Sequence, residues 1–363
     1  MHTLDARRAQ LRTSLDLHRP PPVEPVSIVD PHLLASCVQK ALRRHDRRYV
    51  LAASQALLRC DPDRFWRRLV VAVFEDFGRA DLELTAAVVA AASNKHWRQK
   101  VGGDWHVASY LLERLLIAPC DRFLDELVTF IDAVRKFPAV LAESCRSSPS
   151  PDLSGLVQTA FGLVSSCEAP IPRREGYSPL PGACDRALQS MCDAGLLDLE
   201  LREVCAQGRR TSQCVLPVVL PTVLDTIRRV GDRRELETPV LPPVCEIGGL
   251  PGYAFDGYTR PGRVALAELL EQHLQLRRLL LARGAMSNPV SGLQVLVFDV
   301  EGGVASRGLT HPLLEELKTY SVGCAGGLVG PVRHEALAMV REAIPVLNAL
   351  RAEFQSNEPT RPQ

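Results

Sequence analysis

The stretch DPDRFWRRLVVAVFEDFG, residues 61–78, carries the clearest signal for the fold. An aspartate before a proline is typical of a helix start, because the carboxylate accepts hydrogen bonds from the first-turn amides and the proline has no N–H to lose there. Asp61 and Pro62 fill these positions, and Gly78 supplies a residue suited to ending a helix. Apolar side chains recur between them at helical spacing: Trp66, Leu69, Val73 and Phe77. The stretch therefore predicts an amphipathic helix that packs against neighbouring helices.

The same start signal recurs along the first half of the chain. Aspartates precede apolar-periodic stretches at five positions: Asp46, Asp61, Asp81, Asp104 and Asp121. They predict about six helices over 30–146 in an antiparallel array, and the stretch 149–169 adds another helix.

Beyond residue 182 the pattern is again mainly helical. Helices are predicted over four ranges: 185–207, 215–229, 263–283 and 334–354. The stretch Leu293–Asp299 is rich in β-branched residues and predicts a short strand. We therefore expect a mostly α fold, an antiparallel helical array followed by a second mainly helical domain with a small β element.

Proline clusters set the expected domain boundaries, since proline-rich stretches are stiff and end helices. We expect a leader and Pro-rich spacer over 1–29, a helical domain over 30–169, a second α-rich domain over 182–355 and a tail over 356–363.

Composition and charge exclude several classes of protein. The chain has 363 residues, of which 46% are hydrophobic, and a net charge of +1, so neither chain-wide disorder nor chain-wide attraction to nucleic acid is expected. The longest apolar run, residues 84–92, is too short to cross a membrane. Arg7, Arg8 and Arg12 stand where a signal peptide needs apolar residues. We expect a cytoplasmic protein without a membrane partner.

The motifs of common catalytic sites are missing from the sequence. No glycine is followed by lysine, so there is no phosphate-binding loop of the ATPase type, and there is no Gly-x-Ser-x-Gly. Four cysteines fall in one stretch without the tight Cys-x-x-Cys spacing that zinc sites favour: Cys184, Cys192, Cys205 and Cys214. Buried cysteines are the favoured interpretation, and neither a metal nor a cofactor is expected.

Arginines are concentrated near two predicted helix starts. Arg43 and Arg44 end one helix, Arg47 and Arg48 begin the next, and Arg67 and Arg68 follow in the third. Guanidinium groups beside a helix N-terminus suit a phosphate, so these six are the candidates for contact with DNA. The alternative interpretation is pairing with carboxylates such as Asp76 and Asp125, or simple solvation.

Three consecutive segments of this helical block carry a family resemblance. They are His45–Arg59, with an Ala/Leu ladder after Asp46, then Asp61–Val70, with Arg67-Arg68-Leu-Val, and then Phe74–Asp81, with Glu75, Asp76, Gly78 and Asp81. Together they resemble the helical region C-terminal to the ATPase core in the replication-associated recombination ATPases. Those proteins are clamp-loader-like and related to the Werner-helicase-interacting ATPase.

Two further segments resemble the same family more loosely. One is Ala118–Arg122, and the other is Leu250–Gly262, which includes Asp256, Thr259, Arg260 and Gly262. Tyr258 stands where the family pattern has histidine. The ATPase core itself is absent. The resemblance therefore implies a helical module that acts in DNA replication or recombination through a separate ATPase partner, through self-association or through DNA contact, without hydrolysing ATP.

Two alternatives remain open from the sequence. An enzyme is possible whose site lies in the second half and combines acid, base and anion-binding groups from separate elements. Its residues would be Asp256, Tyr258, Arg260, Asp299, Glu301 and His311. The other alternative is a purely structural or regulatory helical scaffold.

Overall fold

A computed structural model describes residues 3–28, 30–136, 150–170, 177–180, 182–282, 288–321 and 330–357. Within these ranges the chain forms seventeen α-helices and six short strands. The strands pair as three two-stranded antiparallel sheets. The predicted fold class, mostly α with a small β element, is confirmed.

The chain divides into two compact units, and each is built from three separate segments. Unit 1 comprises Met1–Pro21, Trp66–Glu237 and Gly308–Ser321, and unit 2 comprises Pro22–Phe65, Thr238–Arg307 and Val322–Gln363. This division differs from the linear domains 30–169 and 182–355, which stay predictions.

Unit 1 contains helices from both halves of the chain. They are α1 (Thr3–Leu15), α5 (Leu82–Ala92), α6 (Lys95–Lys100), α7 (Asp104–Leu115), α8 (Phe123–Lys136), α9 (Pro151–Cys167), α10 (Ala183–Asp193), α11 (Leu199–Ser212), α12 (Leu216–Val230) and α16 (Pro312–Ser321). Its strands are β1 (Glu168–Pro170), β2 (Tyr177–Pro179), β3 (Glu235–Glu237) and β6 (Gly308–Thr310). Within the predicted leader, α1 buries Leu4, Leu11 and Leu15 and packs against α5, so the leader contributes to the core of this unit.

Unit 2 is a second helical core. Its helices are α2 (Pro31–Arg43), α3 (Arg47–Cys60), α13 (Arg260–Gln272), α14 (Leu274–Ala282), α15 (Pro289–Val297) and α17 (Gly330–Asn357), and its strands are β4 (Glu246–Ile247) and β5 (Leu250–Pro251). Apolar side chains of α13, α14, α15 and α17 form one buried cluster, and α2 packs along α3. The chain passes from unit 2 to unit 1 within α4 (Pro62–Asp76).

Several predicted helix starts are confirmed at the level of individual hydrogen bonds. A carboxylate oxygen of Asp61 accepts from the Arg64 N–H at 2.9 Å, and Asp81 accepts from the Leu84 N–H at 2.9 Å. Asp121 accepts from the Phe123 N–H in the same way. The two remaining aspartates differ. Asp46 makes no side-chain capping bond, and Asp104 is the first residue of its helix, after Gly103 at the cap.

The predicted strand at 293–299 is wrong, because this segment is helical. It lies in α15, capped by Asn288, and continues into a π-helical turn, Phe298–Gly302. Leu293, Leu296 and Val297 are buried at i, i+3 and i+4, so one helical face enters the core of unit 2. This burial outweighs the weak β preference of the β-branched residues.

Two long predicted helices are each divided in two. The range 185–207 corresponds to α10 and α11, and the range 263–283 corresponds to α13 and α14. Among the helices of the described residues, none is long and apolar enough to cross a membrane.

Candidate functional site

The family-like turn after α4 is held by buried ion pairs. The Asp76 carboxylate, fully buried, lies 2.9 Å from a guanidinium nitrogen of Arg122. Arg79 forms a buried ion pair with Asp121, while burial raises the pKa of the Asp121 carboxyl. Because a buried charge needs a partner, these pairs fix the turn in one arrangement. The segments 74–81 and 118–122, which carry the family resemblance, thus bind each other in unit 1.

The second family-like segment, in unit 2, forms the start of α13. The Thr259 hydroxyl accepts from the Gly262 N–H at 3.3 Å and donates to the Asp256 carbonyl at 2.8 Å. A Cβ at Gly262 would lie 2.0 Å from that carbonyl oxygen, so the turn requires glycine. Tyr258, in the position of the family's histidine, is exposed.

A cluster of buried charges lies behind this helix start. Lys40, from α2, forms an ion pair with the Asp256 carboxylate and donates to the Tyr253 carbonyl at 2.9 Å. Burial lowers the pKa of Lys40, and Asp256 opposes that shift. On the other side, Arg351 lies 3.0 Å from a Glu301 carboxylate oxygen, with both side chains buried. Four charged groups of opposite signs are therefore paired inside unit 2.

A small cavity lies among these charges. Asp256, Tyr258 and Glu301, three of the residues expected for an enzyme, line it together with Lys40 and Arg351. Its volume is about 20 Å³, room for one water molecule and too little for a substrate. Both carboxylates already have a cationic partner, Lys40 for Asp256 and Arg351 for Glu301.

The other residues of the enzyme alternative lie elsewhere. Asp299 forms an ion pair with Arg333 at 2.9 Å, and Arg260 is the exposed first residue of α13. His311 belongs to unit 1, where one ring nitrogen lies 3.1 Å from the Gly231 carbonyl oxygen. The candidates are thus divided between the two units.

Two of the six arginines proposed for phosphate contact are buried. Arg43, 3% exposed, donates to the Gly302 carbonyl at 3.1 Å, and Arg44, 7% exposed, donates to the Glu301 carbonyl. Arg44 also stacks over the Tyr253 ring at 4.4 Å. Their guanidinium groups fix the π-helical turn, so we remove Arg43 and Arg44 from the phosphate candidates.

The other four arginines are at least partly accessible. Arg47, Arg48 and Arg67 are exposed, and Arg68 is half-buried. Arg48 forms ion pairs with Glu246 at 2.7 Å and with Glu24 at 3.2 Å. The two carboxylates considered as alternative partners, Asp76 and Asp125, both pair with Arg122.

Lys40 and Arg351 were missed as important residues, although the sequence carries a signal for each. Lys40 falls at helical spacing with Cys37 and Ala41, and Arg351 falls four residues after Leu347. A long cation on the apolar face of a helix must find a buried partner. The helical spacing thus shows that a charged side chain lies on an apolar face. It does not show which distant residue pairs with that side chain.

Of the four clustered cysteines, Cys184 and Cys205 are buried and Cys192 and Cys214 are half-buried. Within the described residues no three His, Cys, Asp or Glu side chains lie together in an arrangement that could hold a metal ion. Comparison of the chain with protein-family models, curated proteins and solved structures finds no match.

Proposed function

We propose that the chain is a non-catalytic helical interaction protein of DNA replication, recombination or repair, located in the cytoplasm. The observation that carries this proposal is the pairing of Asp76 with Arg122 and of Arg79 with Asp121. These contacts give the family-like residues the role of a helix framework. A framework of this kind is what an assembly module needs, since it holds helix faces in fixed positions for a partner.

The charged groups of unit 2 also favour binding over catalysis. The Asp256 and Glu301 carboxylates are committed to Lys40 and Arg351, and the cavity among them holds no more than a water-sized molecule. A general base must instead reach a proton on a bound substrate.

DNA phosphates are the proposed ligands of two arginine pairs, which we treat separately because they belong to different units. Arg47 and Arg48 lie at the start of α3, and Arg67 and Arg68 lie in α4. The carboxylates that pair with Arg48 are exposed, and water screens such pairs, so a phosphate is able to replace them.

DNA binding tests the first pair directly. We expect R47E/R48E to weaken binding to a labelled duplex, measured by fluorescence anisotropy, and to reduce the slope of log affinity against log salt by about 2, since each lost phosphate contact removes close to one released ion. R263E/R278E is the control, because it changes the charge equally at two exposed positions of the same unit. Equal titrations of the two variants would remove Arg47 and Arg48 from the proposal.

The second pair is tested in the same way. R67E/R68E should weaken DNA binding, and R12E/R114E, again at exposed positions in unit 1, should leave it unchanged. If the wild-type chain itself binds no duplex, single strand or fork at 50 mM salt, the DNA contact is wrong as a whole.

A separate ATPase and self-association are the proposed protein contacts. Sedimentation velocity of the chain alone, and of the chain mixed with a replication-associated recombination ATPase, distinguishes them. A faster-sedimenting species in the mixture supports the ATPase partner, and one in the chain alone supports self-association. A single monomeric boundary in both samples would contradict the assembly role.

A further inference from the structure

The cavity among the buried charges of unit 2 has a polar wall and an apolar wall. The residues of the polar wall are Lys40, Asp256, Gln294, Glu301 and Arg351, and those of the apolar wall include Leu266, Val297 and Phe298. Tyr258, which is 78% exposed, also lines the cavity, so the cavity lies close to the protein surface. Its volume of about 20 Å³ is that of a site for a single water-sized molecule.

Three buried polar atoms of the polar wall have no hydrogen-bond partner among the described residues. They are Arg351 Nε, Arg351 Nη2 and Glu301 Oε2. Arg351 Nη2 and Glu301 Oε2 lie 3.0 Å apart, so their charges attract, but the orientation of the two groups is not that of a hydrogen bond. Arg351 is 0% exposed and Glu301 is 4% exposed, so bulk solvent does not reach these atoms. Buried polar atoms of this kind need a partner.

Neighbouring polar groups of the wall are already bonded elsewhere. Arg351 Nη1 donates to the side-chain oxygen of Asn348 at 2.7 Å. The Lys40 ammonium donates to the Tyr253 carbonyl at 2.9 Å and to the Asp256 carboxylate. The protein would therefore have to break one of these bonds to serve the three remaining atoms.

The chemistry of the missing partner follows from these three atoms. A halide accepts hydrogen bonds but donates none, so it would leave Glu301 Oε2 without a donor and would lie beside a carboxylate. A metal ion or ammonium cannot accept from the Arg351 guanidinium. Water both accepts and donates, and it has the size of the cavity.

We propose that unit 2 binds one internal water molecule between Arg351 and Glu301. The Nε and Nη2 groups of a guanidinium point their hydrogens to the same side of the planar fork, so a single oxygen atom accepts from both. One hydrogen of the water is then directed to Glu301 Oε2. The water joins α17, which carries Arg351, to the π-helical turn, which carries Glu301, and it completes the hydrogen bonds of two charges inside the core.

A crystal structure of the whole chain, at a resolution that shows ordered water, tests the site directly. We expect one electron-density peak within about 2.6–3.2 Å of both Arg351 Nε and Glu301 Oε2. A crystal soaked in sodium bromide distinguishes water from a halide, because bromide scatters X-rays anomalously. An empty cavity, a direct hydrogen bond between the two side chains in place of the peak, or an anomalous bromide signal would overturn the proposal.

The number of internal water molecules in solution gives a second test, measured by magnetic relaxation dispersion of the oxygen nucleus of water. R351M/E301L replaces the buried pair by apolar side chains, so it should hold one long-lived water molecule fewer than the wild type. R277M/E271L is the matched control, because it makes the same substitutions at a solvent-accessible ion pair of the same unit and should keep the wild-type number. Equal numbers in the wild type and R351M/E301L would refute the site, and the crystal test does not depend on either variant.

Discussion

Replacing Gly208 by alanine should destabilise unit 1, although glycine to alanine within a helix ordinarily stabilises. Gly208 lies inside α11, where alanine gains about 1 kcal/mol from helix propensity alone. A Cβ at this position would lie 2.5 Å and 2.6 Å from two ring carbons of Phe74. These distances are about 1 Å inside van der Waals contact.

The ring cannot move away without cost, because Phe74 is fully buried. Overpacking of this kind costs about 1–3 kcal/mol, and the overlap with two atoms places Gly208→Ala near the upper end. Subtracting the propensity gain leaves a net loss of about 1–2 kcal/mol in the free energy of unfolding. Urea unfolding followed by far-ultraviolet circular dichroism measures it.

Gly162→Ala is the matched control. Gly162 also lies within a helix of unit 1, α9, and a Cβ there meets nothing within 4 Å, so we expect a gain of about 0.5–1 kcal/mol. In a Phe74→Leu background the cost of Gly208→Ala should shrink by about 0.5 kcal/mol or more, because the two sites are in contact. A Gly208→Ala protein as stable as the wild type would show that Phe74 does not limit this position.

Three further expectations concern two buried polar side chains and one glycine in a tight turn. Arg351→Met should lower the free energy of unfolding by about 3–5 kcal/mol, measured by urea unfolding, because it leaves the Glu301 carboxylate buried without its cation. The double variant with Glu301→Leu should recover most of that loss. Equal losses in the single and the double variant would refute the pairing. Burial lowers the pKa of His311 below its ordinary value of 6.5, so below pH 6.5 the unfolded state binds more protons than the folded state, and the free energy of unfolding should fall as the pH is lowered from 6.5. His311→Gln should flatten this pH dependence between pH 7.5 and 5. An unchanged slope in the variant would contradict the assignment to His311. Gly262→Ala should lower the melting temperature, because its Cβ would overlap the Asp256 carbonyl, and an unchanged melting temperature would show that the start of α13 adapts.

Local signals in the sequence were sufficient for several of the helix starts. Asp61 and Asp81 mark helix starts because a cap depends on residues within one turn of itself. The strand predicted at 293–299 failed for the opposite reason. Val295 and Val297 favour a strand locally, but the burial of Leu293 and Leu296 against distant helices decides the structure.

The candidate site was less predictable, because it depends on contacts between segments far apart in the chain. The guanidinium group of Arg44 is chemically suited to bind a phosphate. The structure shows instead that it donates to the backbone carbonyl of Glu301, which lies 257 residues later in the chain.

The alternation of the two units along the chain has a consequence for how the protein is made. Unit 2 takes its final helix from Gly330–Asn357, and unit 1 takes β6 and α16 from Gly308–Ser321. A growing polypeptide thus carries unfinished cores until these segments are made, and the apolar face of α13, which packs against α17, stays partly uncovered in the meantime. Chaperone demand during translation should therefore be high until Gly330–Asn357 has left the ribosome and packed into unit 2.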